Sequence, residues 1–176
     1  MAKVLVIRLS AIGDVAMTVP VIYSAAKANP EDSFTVLTQA FLMPLFMNRP
    51  PNVEVIGINT KGAEKGLIGL LKFDFDVILD LHNVIRTIII CTFFRLNGKR
   101  VFVLDKARKE RKRLTAIKGK RLYPLRPVIV RYADVFRAAG LNYTETFTSL
   151  YEESPAELSG MASVAGIKKG KWIGVP

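Results

Sequence analysis

A carboxylate, a glycine and a serine lie together just after the first apolar run of the chain. The run is Lys3–Ile7, and the segment that follows contains Ser10, Gly13 and Asp14. Asp14 could act as a general base that takes a proton from an attacking hydroxyl. It could instead cap a helix, because an aspartate at a helix start accepts hydrogen bonds from free N–H groups. Gly13 could let a ligand approach the backbone or could simply serve a turn.

A second group of polar residues follows the later apolar run Val77–Leu81. His82 and Asn83 come directly after this run, and Arg86 lies one helical turn further. Arg86 could hold a phosphate or carboxylate through two parallel hydrogen bonds, or form a surface ion pair. His82 could contact a ligand or serve as a structural, hydrogen-bonded residue.

These residues need a sheet that brings the two groups together. Apolar runs with strand character alternate with segments of helical periodicity, which predicts a Rossmann-like, doubly wound parallel α/β sheet. In such a sheet the first and fourth strands are neighbours, and ligands bind outside their carboxyl ends. We therefore expect Ser10 and Asp14 to face His82 across one crevice. Lys61 and Lys65, after the third strand, could reach the same crevice or remain surface lysines. The predicted strands are Lys3–Ile7, Phe34–Thr38, Val53–Ile58, Val77–Leu81 and Arg100–Leu104; the predicted helices are Asp14–Ala28, Ala40–Met47, Gly62–Leu71, Val84–Leu96 and Pro127–Ala139.

Three predictions concern particular elements. Pro20 predicts either a kink in the first helix or a helix that starts nearer to the proline. The segment Val84–Leu96 is expected to be largely buried, with Cys91 as an inert core residue. Lys171–Val175 is typical of a further strand, so we expect residues 1–151 to form one domain and residues 152–176 to be a linker and the first strand of a second domain.

Several kinds of site are disfavoured by the residue types. One histidine and one cysteine make a His-built metal site and a disulfide framework improbable. Asp74 and Asp76 form a D-x-D pair, but they precede a strand. They should therefore lie at the amino ends of the strands, whereas the crevice lies at the carboxyl ends. No G-x-G-x-x-G or P-loop pattern is present, which argues against a nucleotide-dependent oxidoreductase.

The charge of the chain is concentrated in one stretch. The net charge is +11, and between Lys99 and Arg121 there are eleven lysines and arginines against two acids. This predicts an anionic partner. The part Lys106–Arg121 has few aromatic residues, which disfavours stacking on single-stranded nucleic acid. It could be a solvated face or a surface for a phosphorylated, membrane-borne glycan.

Three blocks of sequence resemble the bacterial ADP-heptose:lipopolysaccharide heptosyltransferases, glycosyltransferase family 9. They are K-V-L-V-I-R-L-S-A-I-G-D-V-A-M-T-V-P-V-I at the start, F-D-V-I-L-D-L-H-N at Phe75–Asn83, and V-R-Y-A-D-V-F-R-A-A-G-L at Val130–Leu141. T-V-L-T at Thr35–Thr38 is a shorter match. Their order and spacing agree with the family over nearly the whole chain.

The resemblance implies that the chain is the N-terminal, acceptor-binding half of a GT-B glycosyltransferase that inverts the anomeric centre without a metal. It implies that Asp14 is the general base, with Ser10, Gly13, Lys61, His82, Asn83 and Arg86 as candidate acceptor-binding residues. No cofactor is expected. A nucleotide-sugar donor, ADP-heptose in this family, would bind the half that is absent here, so the chain alone should be inactive.

The partners implied are a glycolipid acceptor with anionic groups, the nucleotide-sugar donor through the absent half and, by peripheral contact, the inner membrane. No nucleic-acid partner is expected from the resemblance. A cytoplasmic location is expected, since Arg8 interrupts the N-terminal apolar run and no apolar segment is long enough to span a bilayer. Asn83 stands where many relatives have glycine, so that turn is expected to differ. The alternative function is a non-catalytic module that binds nucleic acid or another anionic surface through the basic stretch.

Overall fold

The described residues form a parallel sheet of five strands with helices on both faces. The computed structural model describes residues 1–59, 73–116 and 123–151. The strand order is β3-β2-β1-β4-β5, and every neighbouring pair is parallel. The strands are β1 Lys3–Ile7, β2 Ser33–Gln39, β3 Val53–Ile58, β4 Val77–Asp80 and β5 Arg100–Val103. The predicted doubly wound α/β sheet is confirmed.

The helices of the described residues connect these strands. They are α1 Ile12–Ala16, α2 Val19–Ala28, a 3₁₀ helix Ala40–Phe46, α3 Ile85–Leu96, α4 Arg108–Leu114 and α5 Val128–Ala138. The predicted helix Gly62–Leu71, Lys61 and Lys65, and the proposed second-domain segment 152–176 lie outside the described residues, as does the end of the basic stretch at 117–122.

The central strands are apolar at every position because both of their faces are covered. In β1, Val4 and Val6 point into one apolar cluster, and Leu5 and Ile7 point into the other. Residues of α2 and α5 belong to the first cluster, and Ile90 of α3 belongs to the second. The first and fourth strands are therefore fixed side by side in the middle of the molecule.

The segment predicted as one helix, Asp14–Ala28, consists of two. Helix α1 ends at Ala16, and the Thr18 hydroxyl donates to the Val15 carbonyl at 2.7 Å where the chain redirects. Pro20 is the second residue of α2, a position where the missing N–H costs no helical hydrogen bond. The alternative of a helix that starts near the proline is the correct one.

The prediction that Val84–Leu96 forms a largely buried helix is wrong. Helix α3 is present, but only the face with Thr87, Ile90, Cys91 and Phe94 is buried. The opposite face is mainly apolar and exposed. The apolar composition of a helix does not show whether a neighbouring element covers its second face.

Candidate functional site

The carboxyl ends of β1 and β4 bring the two polar groups together. Ile7 is paired with Asp80, and the N–H of Leu81 donates to the Ile7 carbonyl at 3.0 Å. Just beyond these residues the Ser10 hydroxyl Oγ lies 3.4 Å from His82 Nε2. Two loops some seventy residues apart in sequence thus form the walls of one crevice.

Asp14 lies in the first turn of α1 but does not cap the helix. The capping position is Ala11, and no side chain makes a capping hydrogen bond there. The Asp14 carboxylate instead pairs through Oδ2 with the Arg8 guanidinium, and its side chain remains 42 % exposed. The carboxylate is therefore anchored at one oxygen and open to solvent.

Arg8 is the residue that positions this carboxylate. It follows β1 directly and is buried. Its Nη1 donates to the Leu81 carbonyl at 2.6 Å, and its guanidinium lies 5.8 Å from the ring centre of Tyr132 on α5. Arg8 was not singled out as a site residue from the sequence; the signal was a cation immediately after a buried strand, where an unpaired charge is costly.

His82 is a neutral residue of the crevice wall. Burial, followed by the nearby charge of Arg8, lowers the pKa of its ring to about 4. The ring therefore carries no charge near pH 7. It can form a hydrogen bond with Ser10 or with a ligand, but it offers no positive charge to an anion. Its Nδ1 is buried and has no hydrogen-bond partner among the described residues.

Asp80 shapes the turn after β4. This buried carboxylate accepts hydrogen bonds from the backbone N–H groups of His82 and Asn83 at 2.9 and 2.8 Å. Asn83 has a φ of 49°, and its side-chain amide donates to the Leu104 carbonyl at 2.8 Å. Asn83 thus takes the left-handed conformation that glycine adopts readily and that asparagine tolerates.

A cavity of about 480 Å³ opens from this crevice. It is lined by Leu9, Ser10, Gln39, His82, Asn83, Val84, Ile85, Arg86 and Arg108. Arg86 and Arg108 are exposed, and within the described ranges neither forms an ion pair. Two cations that lack a carboxylate partner at one cavity suit a ligand with phosphate or carboxylate groups.

Lys106 adds basic character beside this cavity. Burial, together with the charges of Arg108 and Arg8, lowers the pKa of its ammonium group. Neither Lys106 nor Gln39 was named individually as a site residue from the sequence. Gln39 lies at the end of β2, the strand next to β1, so its place at the cavity follows from the strand order.

Gly13 is exposed within α1 and has free space around it. A Cβ built at this position would have no heavy atom within 4 Å, and the residue is not in the left-handed conformation. The open space leaves room for a ligand to approach the backbone beside Asp14.

The D-x-D pair lies at the opposite edge of the sheet, as expected. Asp76 accepts a hydrogen bond from the Lys3 N–H at 2.8 Å, and Asp74 forms an ion pair with Lys99 at 2.5 Å. The hydrogen bond and charge of Lys99 lower the pKa of Asp74. Within residues 1–59, 73–116 and 123–151, no group of three or more His, Cys, Asp or Glu side chains is arranged to hold a metal ion.

Comparison with solved structures gives clear matches to glycosyltransferases. The E. coli heptosyltransferase WaaC with ADP matches with a TM-score of 0.56 and 21 % identity over 84 % of this chain and 49 % of that chain. WaaC with ADP-2-deoxy-2-fluoro heptose matches with the same TM-score and 20 % identity over 84 % of this chain and 50 % of that chain. A glycosyl transferase family 9 structure from Veillonella parvula matches with a TM-score of 0.60 and 18 % identity over 96 % of this chain and 51 % of that chain.

No protein-family profile matches the sequence, and a search of curated proteins gives no match. The chain spans about half the length of the solved structures that it resembles. At these identities the comparisons establish the fold: this chain has the parallel α/β fold found in about half of a heptosyltransferase or family 9 glycosyltransferase structure.

Proposed function

We propose that this chain is the acceptor-binding half of an inverting, metal-independent glycosyltransferase. The observation that carries the proposal is the Asp14 carboxylate, held by buried Arg8 at the crevice between β1 and β4. The fold of the chain, which matches those of heptosyltransferases, supports the same reaction class.

In this proposal one oxygen of the Asp14 carboxylate pairs with Arg8 and the other accepts the proton. Oδ2 pairs with Arg8, and Oδ1 has no hydrogen-bond partner in the described part of the chain. In the proposed reaction an acceptor hydroxyl gives its proton to Asp14 while its oxygen bonds to the anomeric carbon of the donor. The bond from that carbon to the nucleoside diphosphate breaks on the opposite face, which inverts the configuration.

The remaining crevice residues would bind the acceptor. Ser10, His82 and Asn83 offer polar groups near Asp14, and Arg86 and Arg108 would bind its anionic groups. The donor would be a nucleotide-sugar held by the donor-binding half of the enzyme. The ADP and ADP-2-deoxy-2-fluoro heptose named in the WaaC structures support ADP-heptose as the donor. We propose a lipopolysaccharide-core sugar as the acceptor because the sequence blocks resemble the lipopolysaccharide heptosyltransferases.

The alternative of a nucleic-acid-binding module gains no support. Helix α4, the described helix of the basic stretch, has no aromatic residue on which a base could stack. One of its arginines, Arg108, lines the cavity beside the crevice, which supports a role for this residue in binding the acceptor.

The test is the variant Asp14→Asn in the enzyme that combines this chain with its donor-binding half. Release of nucleoside diphosphate is measured with EDTA present. We expect turnover to fall about 10²- to 10⁴-fold with little change in donor KM, since loss of a general base slows the chemical step. The variant Asp74→Asn, at the other edge of the sheet, is the control and should match the wild type. Turnover of Asp14→Asn within a few-fold of wild type would refute the base role, and loss of wild-type turnover in EDTA would refute metal independence.

A further inference from the structure

The outer face of α3 is mainly apolar, with Thr92 as an exposed polar residue whose hydroxyl donates to the Ile88 carbonyl at 2.8 Å. Ile85, Ile89 and Leu96 are 80, 67 and 83 % exposed, and Ile88 and Phe93 are also exposed. Positions three, four, seven and eight apart lie on one side of a helix, so these five residues form a single stripe. We call them the α3 stripe.

The stripe lies opposite the face that packs on the sheet. Thr87, Ile90, Cys91 and Phe94 are buried against the sheet side, so α3 is apolar on two opposite faces. A helix that is apolar all round is normally buried on all sides. Contiguous exposed apolar surface of this kind usually marks a site of interaction with a protein or a membrane.

Positive charge surrounds the stripe. Arg86 and Arg95 lie on its two flanks at helical spacing and are exposed. Helix α4 has five basic residues, one acid and no buried residue, and its Arg108 lines the same cavity as Ile85 and Arg86. An apolar stripe bordered by arginines and lysines is the arrangement of a helix that lies in a membrane interface.

We propose that the α3 stripe and helix α4 bind the surface of an anionic lipid bilayer. The apolar side chains would enter the boundary between head groups and acyl chains, and the arginines and lysines would contact lipid phosphates. The charge of the chain argues against a second copy as the occupant, since two chains of net charge +11 repel each other. No described helix is long and apolar enough to cross a membrane.

This contact would bring the candidate site to the lipid. The stripe begins at Ile85, which lines the cavity beside Asp14's crevice, and α3 extends about 18 Å from there. A bilayer against the stripe would place the crevice next to the head groups. This consequence rests on the proposed function, whereas bilayer binding itself does not.

The test is co-sedimentation of the full chain with vesicles of equal parts phosphatidylglycerol and phosphatidylcholine. We expect the wild type to bind, to bind more weakly at high salt, and to bind pure phosphatidylcholine poorly. The double variant Ile89→Gln/Leu96→Gln should bind about tenfold more weakly. Val130→Gln, on α5 at the opposite face of the sheet, should bind as the wild type does. Asp14→Asn should also bind normally, which separates this proposal from the catalytic one.

The outcomes that overturn the proposal are distinct. Wild-type binding that is unchanged in the double variant would show that charge alone binds the vesicles. Absence of wild-type binding would exclude a lipid surface. Sedimentation velocity without vesicles covers the remaining case: self-association that the double variant abolishes would show that a second copy occupies the stripe. Thermal unfolding of each variant verifies that it is folded.

Discussion

At the scale of single residues, the site depends on a buried cation that fixes an exposed anion. Arg8 is held by the Leu81 carbonyl and pairs with Asp14, so the carboxylate has a defined place without being withdrawn from solvent. Removal of the Asp14 carboxylate would be costly, because the buried charge of Arg8 would then lack its partner. This geometry holds a carboxylate on a short helix in one place and in contact with solvent, which the proposed general base requires.

His82 allows a test of the crevice at the same scale. Its folded-state pKa of about 4 lies below the ordinary value of 6.5, so between these values the unfolded chain binds more protons than the folded one. Stability should therefore be lost as the pH falls from 6.5 towards 4, by about 1–2 kcal/mol after allowance for solvent screening of the half-buried ring.

The measurement is urea unfolding of the wild type and His82→Gln across this pH range. Other titrating groups contribute to both proteins, so the difference between the two curves isolates the histidine. We expect the wild type to lose more stability than the variant on acidification. Parallel curves would show that the ring is solvated rather than buried beside Arg8.

At the scale of elements, short connections set the shape of the crevice rim. The 3₁₀ helix starts directly after β2 and packs on β3, and Gln39 reaches the cavity from this junction. Gly57 of β3 permits this packing, because a Cβ there would lie 2.7 Å from the Ala40 Cα and would clash with the Met43 side chain.

Gly57→Ala should therefore destabilise the fold by about 1–3 kcal/mol, as expected for overpacking against backbone. Gly13→Ala is the matched control, because its Cβ would meet nothing within 4 Å and alanine favours a helix. Urea unfolding of both variants gives the comparison. Equal stabilities would show that the 3₁₀ helix can move away from β3 without cost.

At the scale of the whole molecule, the strand order decides where chemistry can occur. The order reverses between β1 and β4, and their loops separate to leave the crevice in which Asp14 and His82 lie. The same topology places α3 on the face of the sheet opposite α2 and α5. Cys91, on the buried side of α3, belongs to the same apolar cluster as Ile78 of β4.

Cys91 reports whether this global packing is intact. The thiol is buried, Sγ lies 3.7 Å from Asp80 Oδ2, and burial together with Asp80 raises its pKa to about 12. We expect a thiol reagent at pH 8 to react about 10³-fold more slowly with the native chain than with the urea-unfolded chain. Thr92→Cys in a Cys91→Ala background places the thiol on an exposed neighbour and should react rapidly. Rapid native labelling of Cys91 would contradict the packing of α3 on the sheet.

The sequence by itself determined the sheet and the position of its polar loops. Continuous apolar strands alternating with helical segments specify a parallel sheet, because only strands covered on both faces can be apolar throughout. β2 and β3 were predicted to within a residue of their ends, and the facing of Ser10 and His82 followed from strand order alone. These features depend on local pattern and on a general rule of topology.

Only the tertiary structure decided which group the Asp14 carboxylate contacts and which face of α3 is exposed. The residue types left a helix cap and a general base open for Asp14; in the structure Asp14 makes no capping hydrogen bond, and a buried arginine after β1 pairs with one of its carboxylate oxygens. The sequence predicted a largely buried α3, but among the described residues only its sheet side is covered. In both cases the outcome depends on which distant groups meet in space, and neither residue type nor periodicity carries that information.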